Sequence, residues 1–495
     1  MMQFNLPDSA RLTQVGSDVV LQSADILRKL TQWQTLLHGY GAQRVVLTAD
    51  SSMSWVLVDL ACLTAGILLT PLPTYLSEAQ QANVLGALQP DLWLSDSEVS
   101  DAECTLLEEF DGLLLYQRKV SQKVDVAATT QKITFTSGST GAPKGVCLSA
   151  PSQLDVALAL KARVETICDA EPRHLCLLPL PTLLENIAGV YAPLLAGGTV
   201  IIAPDKLRGF VGSRLVNPKA LLQLISHTQP KSLILVPELL QLLLAAAKQG
   251  WQVPSSLQFI AVGGAYVSPQ LLQQAASLNL PVYQGYGLSE CASVVALSNR
   301  PPASGSDTVG CALSCRDVEI IDGELVVKTP FLGYLGDSKS ATERVYTGDL
   351  AQWTSQGELR ILGRRKNLLI NSFGRNISPE WVETALTDSG VIRQAMLLGD
   401  AKPYCSALLF APADVSDDQL ADTIKQVNHA LPDYARVSAY QRLAAPFSTE
   451  QGTLTDNGRL KRSEIARQFE HQIAALYAAP QNVTGEHYDF LPISA

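Results

Sequence analysis

The stretch FTSGSTGAPKGV, residues 135–146, gathers glycines and hydroxyl residues into a loop that closes on Pro-Lys-Gly. Gly138, Gly141 and Gly145 permit backbone conformations closed to larger residues, and Ser137, Ser139 and Thr140 set hydroxyls beside backbone N–H groups. Such a concavity suits an anionic group, phosphate above all. The spacing is GxxGxPKG, and no Ser or Thr follows Lys144, so this is not the GxxxxGK[ST] loop of Walker type. A solvated Gly/Ser loop has the same composition, and segments elsewhere in the chain decide between the two readings.

The chain has 495 residues, which at about 150 residues per domain predicts two to four units. Hydrophobic residues make up 47% and charged residues 17%, a globular balance. A net charge of -10 argues against a nucleic-acid partner, since a phosphate-backbone surface is normally basic. The nine cysteines are scattered without a CxxC pair, the pattern of small buried hydrophobes in a reducing compartment rather than of a zinc site. MMQFNLPDSARL lacks the basic and apolar regions of a signal peptide. The apolar stretches 177–198 and 233–247 are cut by Pro, Glu and Asn well before the roughly 20 residues of a membrane span. The expectation is a soluble cytoplasmic protein with no transmembrane segment; oligomeric state is left open.

No internal repeat appears, so the architecture follows from alternation. The β-branched runs RVVLTAD (44–50), SLILVP (232–237), LQFIAVGG (257–264) and PVYQGYG (281–287) alternate with helical patterns such as 54–66 and 268–279. This predicts an α/β fold: mixed or parallel sheets layered with helices over residues 1–308. From about 309 to 362 short strands and turns predict a β-rich subdomain, with a hairpin turned at Asp322-Gly323. After a hinge at 363–366, helix and strand patterns resume as a small α+β C-terminal domain over 367–495.

TSGSTGAPKGV (136–146), LPLPTLLEN (178–186), VGGA (262–265), YGLSE (286–290), YTGDL (346–350), LGRRKNLLINSFGRNISPEWVE (362–383) and NGRLKR (457–462) stand in a fixed order along nearly the whole chain. That ordered set resembles the adenylate-forming superfamily of acyl-CoA synthetases, luciferases and peptide-synthetase adenylation domains. The resemblance implies activation of a carboxylic acid, of the long-chain fatty type, by ATP with Mg²⁺. An acyl-adenylate and pyrophosphate form, and a thiol then displaces AMP. It also implies roles. Thr136, Ser137, Gly138, Ser139, Thr140, Gly141 and Lys144 hold phosphates, and Glu290 holds Mg²⁺. Gly263, Gly264, Ala265, Tyr286 and Gly287 frame the adenine, Ser289 belongs to the same nucleotide-binding set, and Asp349 takes the ribose hydroxyls with Arg364 nearby. The C-terminal domain swings about Lys366, and Phe373-Gly374 lines the channel for the acceptor's pantetheine arm.

Three departures bear on the chemistry. Thr182 stands where relatives often carry His, and it cannot carry a positive charge. Phe373 replaces a glycine. Arg459 occupies the place of the family's catalytic lysine, with Lys461 the nearest lysine, and a forked guanidinium is not equivalent to a compact ammonium. The acceptor implied is CoA, or alternatively the phosphopantetheine of an acyl carrier protein. A catalytically impaired nucleotide or acyl binder is a further alternative. Hydride transfer is disfavoured because no GxGxxG follows a strand.

Overall fold

The computed structural model describes residues 4–76, 78–120, 124–136, 144–168, 171–212, 214–301, 307–370, 372, 376–455 and 458–478. Among them, two large sheets organise the first three hundred residues. In a seven-stranded sheet, Arg44–Thr48, Leu68–Pro71, Leu92–Ser95 and Lys132–Thr136 run parallel at the centre, with antiparallel strands on both edges. In a nine-stranded sheet, Val282–Leu288, Phe259–Val262, Ser232–Leu235, Arg173–Leu175 and Thr199–Ile202 are parallel neighbours in that order. Central parallel strands are covered on both faces, which is why they read as unbroken apolar runs.

The helix Met53–Ala65 starts where the Ser52 hydroxyl accepts the Trp55 N–H and stops at Gly66, whose φ of 75° is the left-handed cap of an ended helix. Every residue from Trp55 to Leu63 is buried, and one of them is Asp59. Its carboxylate faces Lys132 Nζ at 2.7 Å, Tyr191 OH at 2.7 Å and Asn186 Nδ2 at 2.8 Å. Lys132 belongs to the seven-stranded sheet, whereas Asn186 and Tyr191 lie on a π-helical turn, Glu185–Tyr191, beside the nine-stranded one. One buried ion-pair network therefore ties helix, sheet and turn together. Burial pulls the Lys132 ammonium below its ordinary pKa, and Asp59 opposes that pull.

The β-rich texture begins with Cys311–Ala312 at the edge of the nine-stranded sheet and becomes a separate antiparallel meander from Asp317 to Arg364. Its hairpin turns at Asp322 and Gly323, both at positive φ (50° and 78°), the two-residue turn that matches strand twist. Beyond it, Gln394–Leu398, Cys405–Phe410 and Val437–Arg442 form a three-stranded sheet covered by the helices Pro379–Thr387 and Asp417–Ala430. No helix among the described residues is long and apolar enough to cross a membrane.

Candidate active site

The strands Lys132–Thr136 and Lys144–Leu148 pair antiparallel, with Thr136 opposite Lys144, so the ends of the glycine loop are pinned as one register pair. Ser137, Gly138, Ser139, Thr140 and Gly141 lie outside the described residues. The second strand is stitched to residues 333–335: the Cys147 N–H donates to the Gly333 carbonyl and the Leu335 N–H to that of Gly145. Tyr334 thereby comes beneath Lys144, whose Nζ stands 5.1 Å from the ring centroid. The same tyrosine donates its hydroxyl to Glu290 Oε1 at 2.8 Å. Burial, and after it the Glu290 charge, pushes the Tyr334 phenol above its ordinary pKa, so it remains a donor. Glu290 sits on the short turn Ser289–Cys291 just past the strand Val282–Leu288. A carboxylate oxygen is the hard donor that Mg²⁺ takes, and Glu290, which lines the same cleft as Lys144, fits that ion.

Asp349 faces Arg364 across the meander; Oδ1 is 2.7 Å from Arg364 Nε, and Oδ2 accepts the Tyr286 hydroxyl. Burial pushes the Asp349 carboxyl above its ordinary pKa, and Arg364 and Tyr286 offset only part of that rise. The carboxylate is held in one orientation, with lone pairs remaining for incoming hydroxyls. Tyr286, expected to cover the adenine with its ring, also fixes Asp349 through its hydroxyl. Gly287 is demanded by the neighbouring strand: a Cβ there would lie 1.9 Å from the Ser293 carbonyl, at the bulge where register shifts between Tyr286 and Gly287.

From the C-terminal unit, the segment around Gly458 reaches across to the nine-stranded sheet. Arg459 Nη2 donates to the Gly264 carbonyl at 2.8 Å. The Arg459 backbone is clamped by Thr455, whose N–H donates to the Arg459 carbonyl and whose hydroxyl accepts the Arg459 N–H. Lys461 caps the helix Arg462–Gln468, and its N–H donates to the Thr453 carbonyl. Arg462, on its face one more basic residue of a tail, makes a bidentate pair with the buried Glu383 at 2.8 and 2.5 Å. Glu383 also accepts the Leu397 N–H. Lys366 is exposed on the turn between Leu359–Arg364 and Leu369–Ile370; Phe373 and Gly374 lie outside the described residues.

Lys144, Thr182, Gly263, Gly264, Ala265, Tyr286, Gly287, Ser289, Glu290, Asp349, Arg364, Lys366, Arg459 and Lys461 all line one cleft of about 3340 Å³. For Thr136 the structure places the backbone at the loop's near end. The same cleft has an apolar stretch, the slot, lined by Leu160 and Val164 of the helix Ala150–Glu165 with Ala188, Ala192, Ile234, Ala261 and Phe259. Three features escape a motif reading: Tyr334, the Arg462–Glu383 pair, and a histidine, His174, in the slot wall with Nε2 2.8 Å from Glu185 Oε1. His174, Cys176 and Glu185 are a buried group of three potential ligating side chains. No spacing rule ties Tyr334 to Glu290 or His174 to Glu185, because each pair meets only through sheet packing.

The family model for AMP-binding enzyme matches residues 34–335, and that for AMP-binding enzyme C-terminal domain matches residues 366–481. The chain is 24% identical to a long-chain-fatty-acid–CoA ligase of Mycobacterium bovis, covering 94% of this chain and 93% of the relative. It is 26% identical to a 2-succinylbenzoate–CoA ligase of Staphylococcus aureus, covering 87% and 92%. In fold it is similar to the O-succinylbenzoate coenzyme A synthetase of Bacillus subtilis in complex with AMP, at a TM-score of 0.73 and 21% identity over 92% of this chain and 95% of that one. The matched models take in the strands that flank the glycine loop, the Glu290 turn and the Arg459 segment alike, and the chain belongs to the AMP-binding enzyme family, the adenylate-forming superfamily of acyl-CoA synthetase type.

Proposed function

We propose that this protein activates an apolar, fatty-type carboxylic acid to its acyl-adenylate with release of pyrophosphate and then passes the acyl group to the thiol of CoA. The observation that carries the reading is the convergence of Lys144, Glu290, Asp349 and Arg459 on one cleft that runs on into an apolar slot. Attack of the acid's carboxylate on the α-phosphate of ATP concentrates negative charge at that phosphorus, and positioned cations lower the barrier there. Arg459, held through Gly264, is the cation assigned to that point, and Lys144 the one for the outer phosphates. Glu290, oriented by Tyr334, would hold Mg²⁺, which when bound neutralises phosphate oxygens. Asp349 accepts from the ribose hydroxyls. Pyrophosphate leaves with the electrons of the broken P–O bond; the thiol then attacks the acyl carbonyl, and AMP departs.

A fatty acid suits the slot because small and aliphatic side chains, Leu160, Val164, Ala188, Ala192, Ile234 and Ala261, line it. Carboxylate-dependent exchange of pyrophosphate into ATP, run over alkyl and aromatic acids, tests the reading. Exchange is expected with alkyl acids and thioester only when CoA is added. Exchange with aromatic acids alone would overturn the fatty assignment, and ATP binding without exchange for any acid would overturn the enzymatic one. Replacing CoA with a phosphopantetheinylated carrier protein in the second step identifies the acceptor.

A further inference from the structure

We propose that the acid's tail carries a hydroxyl group about ten carbons from its carboxylate, and that Ser232, backed by His174 and Glu185, reads it. This rests on the acyl-activation reading above. A parallel strand covered on both faces is ordinarily an unbroken run of Val, Ile and Leu. Here two polar residues, His174 and Ser232, sit opposite one another in register, 2% and 6% exposed, and both line the apolar slot. A hydrogen-bonded relay runs behind them: Glu185 Oε1 to His174 Nε2 at 2.8 Å, and His174 Nδ1 to Ser232 Oγ at 3.0 Å. The fold makes room for it, since a Cβ at Gly189 would fall 2.2 Å from Glu185 Oε1 and 2.7 Å from His174 Nε2.

The relay decides what Ser232 offers. With a neutral imidazole donating to Glu185, Nδ1 is an acceptor, the serine spends its proton there, and its lone pairs face outward. With an imidazolium, Nδ1–H donates to the serine, which keeps its proton for the slot. A hydroxyl, donor and acceptor at once, satisfies Ser232 in either state, whereas an ammonium or a carbonyl satisfies only one. Position sets the length. Ser232 is level with Phe259 and Leu235 with Val262, and the residues that follow, Val236 and Gly263, line the cleft at the proposed nucleotide end. Four strand residues span about 13 Å, the reach of about ten extended carbons. Between those levels Ile234 and Ala261 present only apolar surface to the tail.

The test compares kcat/KM for 10-hydroxydecanoate and decanoate in pyrophosphate exchange by the full chain. We expect the wild type to favour the hydroxy acid by about ten- to a hundredfold, the loss that follows from leaving a buried hydrogen-bonding group unmet. Ser232→Ala should bring the ratio to near one and Ser232→Thr should restore it; a ratio within one protein cancels general damage to folding. A wild type that favours alkanoates of any length over their hydroxy counterparts, or a ratio indifferent to Ser232→Ala, sinks the inference and leaves acyl activation standing. Absence of exchange with every carboxylic acid sinks both.

Discussion

Arg459 is the cation we propose for adenylation, and that role can be tested at one side chain. Its guanidinium is tied to the Gly264 carbonyl and its backbone to Thr455, while Lys461 begins a helix. Arg459→Ala should therefore cut adenylation by about a hundredfold or more, as loss of a charge-stabilising donor does, and Lys461→Ala should be mild. Thioester formation from preformed acyl-adenylate should survive Arg459→Ala. The opposite order of effects would transfer the role to Lys461. Tyr334 permits a second, narrower test: Tyr334→Phe keeps the ring beneath Lys144 and removes only the hydroxyl on Glu290. If Glu290 holds the ion as proposed, losing the partner that orients it should weaken Mn²⁺ binding to the ATP complex roughly tenfold, read by titration of the bound ion. Unchanged ion affinity would reduce Tyr334 to packing.

Between elements, buried charge does the joining. The Lys132–Asp59 pair, with Asn186 and Tyr191, links the strand Lys132–Thr136, the helix Met53–Ala65 and the π-helical turn. Lys132→Met leaves the Asp59 carboxylate buried without its cation and should cost about 3–5 kcal/mol. Adding Asp59→Leu removes the stranded charge and should recover much of the loss, both read from thermal midpoints. A double variant no more stable than the single one would mean that packing, and not charge, made the joint. The Arg462–Glu383 pair does similar work in the C-terminal unit. It anchors the helix that follows Arg459 to Pro379–Thr387, which is how an exposed-looking basic run comes to aim a catalytic candidate.

For the molecule as a whole, the Arg459–Gly264 contact spans 195 residues of sequence and closes the C-terminal unit over the cleft. On the proposed reading a thiol reaches the same cleft in a second half-reaction, and the exposed turn at Lys366 is the hinge we propose for a swing of the C-terminal unit. Proline there fixes φ near -65° and removes an N–H donor, so Lys366→Pro should slow thioester formation more than adenylation. Separate assays, from acid plus ATP and from preformed adenylate plus CoA, decide it; equal losses in both would place the swing elsewhere.

Motif order and apolar alternation alone carried the family, the α/β class and the Asp322-Gly323 hairpin, because glycine φ preference, strand period and motif spacing are local properties of the chain. In sequence Arg462 is the last residue of the basic motif NGRLKR, and Thr182 leaves the second motif without a histidine. In the fold Arg462 is locked onto Glu383, and a histidine from another strand, His174, pairs with the glutamate of that same motif. Neither could be read from spacing. Tyr334 and Glu290 are 44 residues apart and His174 and Ser232 are 58 apart, and what brings each pair to hydrogen-bonding distance is the register of neighbouring strands and the packing of whole elements, which depends on many distant side chains at once.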